Sequence, residues 1–503
     1  MGSPQTVKKV RNGATYYYER TPRYDPKTKN TVYKYRYLGK DMDGKVGRVR
    51  ITLPRRSYIY GPFLPLVKIM DSLHIGEILS SLTGKKRSAE IIALAMSKIV
   101  RPLPMKSIPA WIEGTHLPNL LDVNLNSSGI SRLLDRIGES DLYRRFSKNF
   151  MSGIKPEGSL LYDITTIPAY STLPIFEYGH AKDHADLPQL NLSIVMEKRR
   201  FLPVTFETYS GSTPYVVTLG RMVAGLGIEG TEFILDRGFC SLDNLRVLSA
   251  HNYIIAAVHS RKEIKIAFSS AIKRIDRTDN ANICKIRTMF CQRVSFRIEE
   301  LDLHAYLYRD PERETQERMD FHRNLKQKRK DIEKLHVRKG LRTAISAIAG
   351  SYMKYLLSTV KNGKVTTRAR NNALTAAENK TGRLMLAYHE DYDPVSCLSV
   401  YRQKDAIEKA FEMLKTDLDL FPLRAIKSST VRGTIFVPFI ALILLSMIVR
   451  AMNISGLTKK YSIERSFLEL EKLQKIRKDE GSFDELERTN KQRDILTALE
   501  KVS

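Results

Sequence analysis

Leu160-Leu161-Tyr162-Asp163-Ile164-Thr165-Thr166 is a run of strand-forming residues with one carboxylate in its middle. Its aromatic, β-branched and apolar residues predict a strand over Ser159–Thr165 with Asp163 in its otherwise apolar interior. A lone charge in such a strand costs on the order of several kcal/mol unless it is paired or ligates a cation. Asp163 therefore needs a partner. Working outward, strands are predicted at Leu190–Glu197, Leu202–Tyr209, Glu232–Asp236 and Tyr253–Val258, with helices at Val216–Leu226 and Leu242–His251 between them. Strands that alternate with helices in this way predict an α/β sheet with parallel members.

The fourth of these strands carries a second acid, in Phe233-Ile234-Leu235-Asp236-Arg237-Gly238-Phe239. Asp236 closes the strand and Gly238 allows a sharp turn after it. The carboxyl end of a strand in an α/β sheet is where ligand-binding groups commonly project. Taken singly, either aspartate also fits an ordinary capping or turn position. A third acid comes from a helix predicted over Tyr401–Asp417. At roughly 100° per residue from Tyr401, Lys404 falls near −60°, Glu408 near −20° and Lys415 near −40°, so the four share one stripe. Ile407, Ala410, Phe411 and Leu414 form the neighbouring apolar stripe, which suits burial on a sheet. A plain i,i+4 ion-pair face would explain Lys404 and Glu408 but not Tyr401. Three hard oxygen donors from two strands and a helix suit Mg²⁺, and paired ions of this kind serve in-line phosphoryl displacement.

The whole chain agrees with a phosphodiester as partner. Its 503 residues carry 83 Lys+Arg against 55 Asp+Glu, a net charge of +28. A polyanion is expected, nucleic acid first and an anionic membrane surface second. Residues 1–60 alone hold 15 bases and 4 acids, with Tyr16-Tyr17-Tyr18 and Thr31 to Lys40 alternating aromatic and basic side chains. That pattern predicts short antiparallel strands, either a solvated hairpin or a basic arm on phosphates. Helical spacing follows at Ser88–Val100 and Ser128–Phe150, with no secure helix-turn-helix signature.

Residues 261–395 interrupt the α/β pattern. Strand-like segments (Lys285–Cys291, Val294–Ile298, Ala305–Tyr308) lead into a charged helix over Pro311–Arg342, whose second half, from Arg323, has nine bases and two acids. Such a run is ordinarily a solvated face, with a backbone-tracking groove as the alternative. Ile435–Val449 is apolar but short of the roughly 20 residues of a membrane span, so a buried core helix is expected. Beyond 453 a charged amphipathic helical tail is predicted. Four cysteines without a CxxC pair, and no apolar leader, fit a reducing cytosol. His180 and His184 flank Asp183 in a loop with no further ligand at metal spacing, and Cys284 and Cys291 fit strand positions better than zinc ligation. No Walker loop, nucleophile elbow or His-Glu-x-x-His motif is present.

With these segments in view, the chain resembles the RNase H-like DDE transposases of bacterial and archaeal insertion sequences, in the branch marked by Tyr-x2-Arg-x3-Glu-x6-Lys. The matching segments are Tyr162–Thr166, Ile234–Phe239 and Tyr401-x2-Lys404-x3-Glu408-x6-Lys415, supported by Gly179–His184 and the apolar helix near Phe439–Leu442. Lysine stands at 404 where the signature has arginine, which keeps the charge and loses the bidentate fork. The single tryptophan, Trp111, lies outside the segment in which related enzymes use one to hold a flipped base.

The resemblance implies an α/β fold: an RNase H-like mixed-sheet catalytic core interrupted by a β-rich insertion domain. A basic β/helical DNA-binding region would precede the core and a helical tail would follow it. The expected boundaries are a basic arm at 1–61, a helical DNA-binding domain at 62–150, core at 151–260 and 396–452, insertion at 261–395 and tail at 453–503. It implies that Asp163, Asp236 and Glu408 bind two Mg²⁺ or Mn²⁺ ions, and that Tyr401, Lys404, Lys415 and Arg237 contact DNA. The activity implied is cleavage at transposon ends and 3′-hydroxyl strand transfer by a homodimer on double-stranded DNA, in a prokaryotic cytoplasm at the nucleoid. A DNA-binding descendant without catalysis, or a metal-dependent nuclease without strand transfer, are the alternatives.

Overall fold

The computed structural model describes residues 5–502 apart from 12, 27, 43–44, 48–53, 157–158, 179–186, 227–230, 258–260, 276–282, 285–288, 337–339, 362, 390, 421, 424, 426 and 479–480. The loop with His180 and His184, the start of the strand expected at Lys285 and part of the basic run near Arg338 lie outside the described residues.

The chain opens with strands β1 (Gln5–Arg11), β2 (Ala14–Asp25), β3 (Asn30–Met42) and β4 (Lys45–Gly47), which form an antiparallel sheet in that order. After β5 (Pro54–Ile59) come helices α1 (Phe63–Ser72), α2 (Ile75–Thr83), α3 (Lys85–Val100), α4 (Ile108–Ile112), α5 (Leu117–Leu121), α6 (Ser127–Glu139) and α7 (Leu142–Ile154). The stretch expected as one helix over Ser128–Phe150 is thus two helices. Ser140 between them is extended, while the Asn126 side chain caps α6 by accepting the Gly129 N–H.

The central sheet starts with β6 (Ser159–Pro168), β7 (Gln189–Glu197) and β8 (Leu202–Ser210), an antiparallel meander. Then α8 (Tyr215–Leu226), β9 (Glu232–Leu235), α9 (Leu242–Leu248) and β10 (Asn252–Ala256) follow, with β6, β9 and β10 parallel to one another. Helix α10 (Lys262–Ile275) precedes β11 (Ile283–Cys284), β12 (Met289–Ile298) and β13 (Leu301–Arg309). Next are α11 (Pro311–Glu333), α12 (Leu341–Ala349), the hairpin β14 (Leu356–Lys361) and β15 (Lys364–Ala369), α13 (Asn371–Glu378) and β16 (Arg383–Tyr388). The sheet has nine strands in the order β11-β12-β13-β16-β10-β9-β6-β7-β8. It therefore runs straight through the boundaries expected at 261 and 395: β12, β13 and β16 extend it antiparallel from β10. Among the described residues of this segment, α11, α12 and the β14–β15 hairpin build a core of their own, around Leu325, Ile332, Ile345 and Val365. The charged helix ends at Glu333, short of Arg342.

Helices cover both faces. Period-two alternation sends Tyr162, Phe233 and Leu235 to one side, under α8, α9 and α10. Leu161, Ile194 and Ile234 go to the other side. There they meet α15 (Asp405–Glu412), which follows α14 (Pro394–Arg402), and α16 (Ser428–Ile454). Helix α16 is 27 residues, longer than the apolar run suggested, because its ends are polar and still helical. By length and composition it could cross a membrane, yet its most apolar stretch is 89% buried within the protein. Residues 62–150, expected as a domain apart, share this core: α3 and α6 lie along α16, and a Cβ placed on Gly433 would fall 2.1 Å from the Leu134 carbonyl oxygen. The tail also departs from expectation. After α17 (Ile463–Glu471), β17 (Gln474–Lys478) pairs antiparallel with β5 and with β18 (Phe483–Glu485) before α18 (Asn490–Leu499).

Candidate active site

The parallel register of β6 and β9 sets Leu160 beside Phe233 and Leu161 beside Ile234. Strand β9 stops at Leu235, so the pairing ends just where the acids begin. Two residues on from the last pair stand Asp163 in β6 and Asp236 after β9, on the same face as Leu161 and Ile234 and on strands about 4.8 Å apart. Beyond this point β6 stays paired with β7 on its other edge up to Pro168. A crevice thus opens at the carboxyl ends of parallel strands, the usual position of ligand sites in such sheets. This places the acid of the apolar strand at the mouth of the crevice: Asp163 lies past the end of its neighbouring strand.

The third acid arrives from the helical side. Ile407, Ala410 and Phe411 bury one face of α15 in the core that holds Leu161 and Ile234. That packing brings the preceding turn over the crevice. The helix expected over Tyr401–Asp417 is in fact broken: α14 ends at Arg402, Gln403 and Lys404 form a tight turn, and Met413–Asp417 is a π-helical turn. The turn is closed by bonds from the Lys404 N–H to the Tyr401 carbonyl (3.0 Å) and from the Ile407 N–H to the Lys404 carbonyl (3.0 Å). Tyr401, Lys404 and Glu408 still converge, because the tight turn replaces the helical stripe with a hook over the crevice.

At the centre sits the Lys404 ammonium. Its Nζ is 3.3 Å from Asp236 Oδ2 and 3.2 Å from Glu408 Oε1, so the two carboxylate oxygens lie no farther apart than those lengths end to end. The Lys404 side chain is 10% exposed, against 35% for Asp236 and 60% for Glu408. Asp163 feels the charges of Lys404, Asp236 and Glu408. Asp236 Oδ1 also accepts the Arg237 N–H at 2.8 Å and the Tyr401 hydroxyl at 3.4 Å, and Asp163 Oδ1 accepts the Ile164 N–H at 2.9 Å.

These surroundings divide the carboxylates. Burial dominates at Asp163 and pushes its pKa up to about 6; the Lys404 charge only partly offsets this. Burial acts on Asp236 too, but there Lys404 and the Arg237 N–H outweigh it and hold the group below the usual carboxylate range. Burial alone would lower the Lys404 ammonium, yet the three acids together raise it above the ordinary lysine value. Burial, reinforced by Asp236, raises the Tyr401 phenol well above its usual value, so it remains a neutral hydrogen-bond donor.

The sequence assigned Tyr401 and Lys404 to DNA phosphates. Within the chain both are engaged with Asp236, and the central position of Lys404 was not anticipated. Its signal was present in the i,i+4 spacing to Glu408. Arg237 is exposed beside Asp236, while Lys415 is partly buried in the π-helical turn. Among the described residues no three acidic, histidine or cysteine side chains are gathered as they stand around one vacant ion position. The reason is visible in the contacts: Asp236 and Glu408 both point at the lysine nitrogen. That nitrogen holds a single positive charge between two hard carboxylate oxygens, with Asp163 on the neighbouring strand, and such oxygens are the donor type that Mg²⁺ or Mn²⁺ takes.

No family model matches the chain, and no curated protein sequence matches it. Among solved structures, a cryo-EM structure of the piggyBac transposase synaptic complex with hairpin DNA is similar over 84% of this chain and 82% of that one, with a TM-score of 0.39 and 12% identity. A likeness that distant carries no weight for the site, which stands on its own geometry.

Proposed function

We propose that this chain is a metal-dependent DNA phosphoryl transferase of the transposase kind, built on an RNase H-like core, that cleaves the ends of an insertion element and joins the freed 3′-hydroxyl to target DNA. The observation that carries the reading is the meeting of Asp236 and Glu408 on Lys404 Nζ at the carboxyl edge of adjacent parallel strands, with Asp163 two residues past the last strand pair and feeling all three charges. The strand order β8-β7-β6-β9-β10, with an acid on the first strand and another after the fourth, supports an RNase H-like core. The net charge of +28 supports DNA as substrate.

Held by the three carboxylates, one or two Mg²⁺ or Mn²⁺ ions would supply activation of a water or 3′-hydroxyl and neutralisation of the scissile phosphate. The chain's own groups have separate tasks. Asp236, kept ionised, is the persistent oxygen donor. Glu408, the most exposed of the three, has room to turn from the lysine toward an ion. Lys404, once displaced, becomes a free ammonium beside the bound phosphodiester, with the Tyr401 hydroxyl as a neutral donor and Arg237 and Lys415 as further cations. Action on two ends implies two copies on DNA.

One observation favours a second reading, a DNA binder without catalysis: Lys404 already neutralises the acids. A supercoiled plasmid bearing the element's ends, incubated with the protein and Mg²⁺, separates the possibilities. Joined products support the transferase. Nicks alone point to a nuclease, and a gel shift without cleavage points to a binder. Asp236→Ala should abolish cleavage, by about a thousandfold or more as expected for loss of a principal charge-stabilising group, and leave DNA affinity within a few-fold. Equal loss of both activities would sink the assignment.

A further inference from the structure

The N-terminal sheet carries a feature that the carboxylate site does not use. Among the described residues its four strands pair only with one another. Alternation along β2 and β3 places Tyr16, Tyr18 and Tyr24 on the same face as Tyr33, Tyr35 and Tyr37, because Tyr18 stands opposite Tyr37 and Arg20 opposite Tyr35. Alternation with Tyr18 keeps Tyr16 on that side, where its ring lies 6.3 Å from that of Tyr37, while the register shift opposite Tyr17 and Tyr18 adds Leu38 to β3. The rings are open to solvent: Tyr33, Tyr35 and Tyr37 are 42–44% exposed and Tyr24 62%. Cations lie on them rather than an apolar layer. Lys9 Nζ is 3.8 Å from the Tyr35 ring centre, and the Arg20 guanidinium is 4.4 Å from that of Tyr33.

A row of six tyrosines, four of them exposed and Tyr16 and Tyr18 half-buried, is costly on a surface unless something covers it. The chemistry of the cover follows from charge. Residues 5–47 contain 11 Lys+Arg against 4 Asp+Glu, so two copies of this sheet would repel, whereas a phosphodiester chain would be attracted. A duplex hides its base faces, whereas a single strand offers them to rings. We infer that the tyrosine face of β1–β3 is a stacking platform for single-stranded nucleic acid, with Lys9 and Arg20 passing from the rings to the phosphates as bases stack. The basic residues of the opposite face, Lys8, Lys34 and Arg36, add charge there, Lys8 lying 5.3 Å from the Tyr17 ring centre. The platform is independent of the carboxylates: it would bind strands in the absence of divalent ions and in an Asp236→Ala protein.

The test is fluorescence anisotropy of labelled oligodeoxythymidylate and oligouridylate of about 20 nucleotides, a length that spans such a groove, with a duplex of equal length as a third probe. The protein is the full chain in EDTA. Tyr33→Ser and Tyr35→Ser, at exposed positions, should each weaken single-strand binding about tenfold and leave duplex affinity within twofold. The slope of affinity against salt should not change, and Tyr35→Trp should restore binding. Lys34→Ala should instead weaken all probes alike and lower the salt slope by about one. A preference for either sugar is compatible with stacking and supports the platform. Single-strand affinity unmoved by both serines, in variants whose circular dichroism matches the parent, would overturn the inference. So would an equal loss on duplex.

Discussion

Lys404 decides how the site behaves before any ion or DNA arrives. Its ammonium, nearly buried, holds Asp236 and Glu408 toward a common centre and feels the charge of Asp163. Removing it leaves three acids facing one another. Lys404→Met should lower the stability of the ion-free protein by roughly 2 kcal/mol, less than for a fully buried pair because Glu408 is open to water. Mn²⁺ should then raise the melting temperature of the variant more than that of the parent, since the ion no longer competes with an ammonium. Thermal unfolding with and without Mn²⁺ reads both effects, and identical ion responses would deny Lys404 its central position. The two aspartates were legible in the sequence because each interrupts an apolar strand, a local signal. The lysine was legible as a charge but not as a centre, since its reach into the crevice depends on the break in the helix at Gln403.

At the scale of elements, the crossing of α6 and α16 supports the face on which the site is built. Gly138 and Gly433 let the two backbones meet: a Cβ on Gly138 would come within 1.4 Å of the Ser429 carbonyl oxygen. Gly433→Ala should therefore cost about 3 kcal/mol, the upper range for overpacking, because backbone cannot yield as a side chain can. Chemical denaturation measures it, and a change below 1 kcal/mol, to within about the usual error, would show the helices free to part. Asp135 ties the same crossing. It accepts the Thr430 hydroxyl at 2.5 Å, the Ser429 hydroxyl at 3.3 Å and the Lys427 ammonium at 3.2 Å.

Those bonds, the Thr430 hydroxyl first, hold the Asp135 pKa below its ordinary value. A carboxyl lowered by folding stabilises the fold above its unfolded pKa, and the benefit is lost as pH falls through the folded value. The melting-temperature gap between the parent and Asp135→Asn should thus be constant at neutral pH and shrink below about pH 4. A gap that widens on acidification would refute this. None of this crossing was legible beforehand. The apolar run of α16 announced a buried helix, but its partner was fixed by two glycines separated by almost 300 residues, and their spacing carries no periodic signal.

Across the whole molecule, one sheet organises what the sequence divided into parts. The α/β order from Ser159 to Ala256 was legible because each strand and helix has its own hydrophobic period. The continuation through β16, β13 and β12 was not, since edge-to-edge pairing depends on partners far apart in the chain. The same holds for β17, whose strand character exists only beside β5. The consequence for function is rigidity: α15, which carries Glu408, is packed on the same sheet that carries Asp163 and precedes Asp236, so the three acids are held by one body. The most direct measurement is anomalous X-ray scattering from crystals of the full chain soaked in Mn²⁺. The account predicts manganese within about 2.2 Å of carboxylate oxygens of Asp163, Asp236 and Glu408, two ions about 4 Å apart at full occupancy, with the Lys404 side chain moved away. Strong manganese peaks elsewhere, with Lys404 still bridging Asp236 and Glu408, would contradict it.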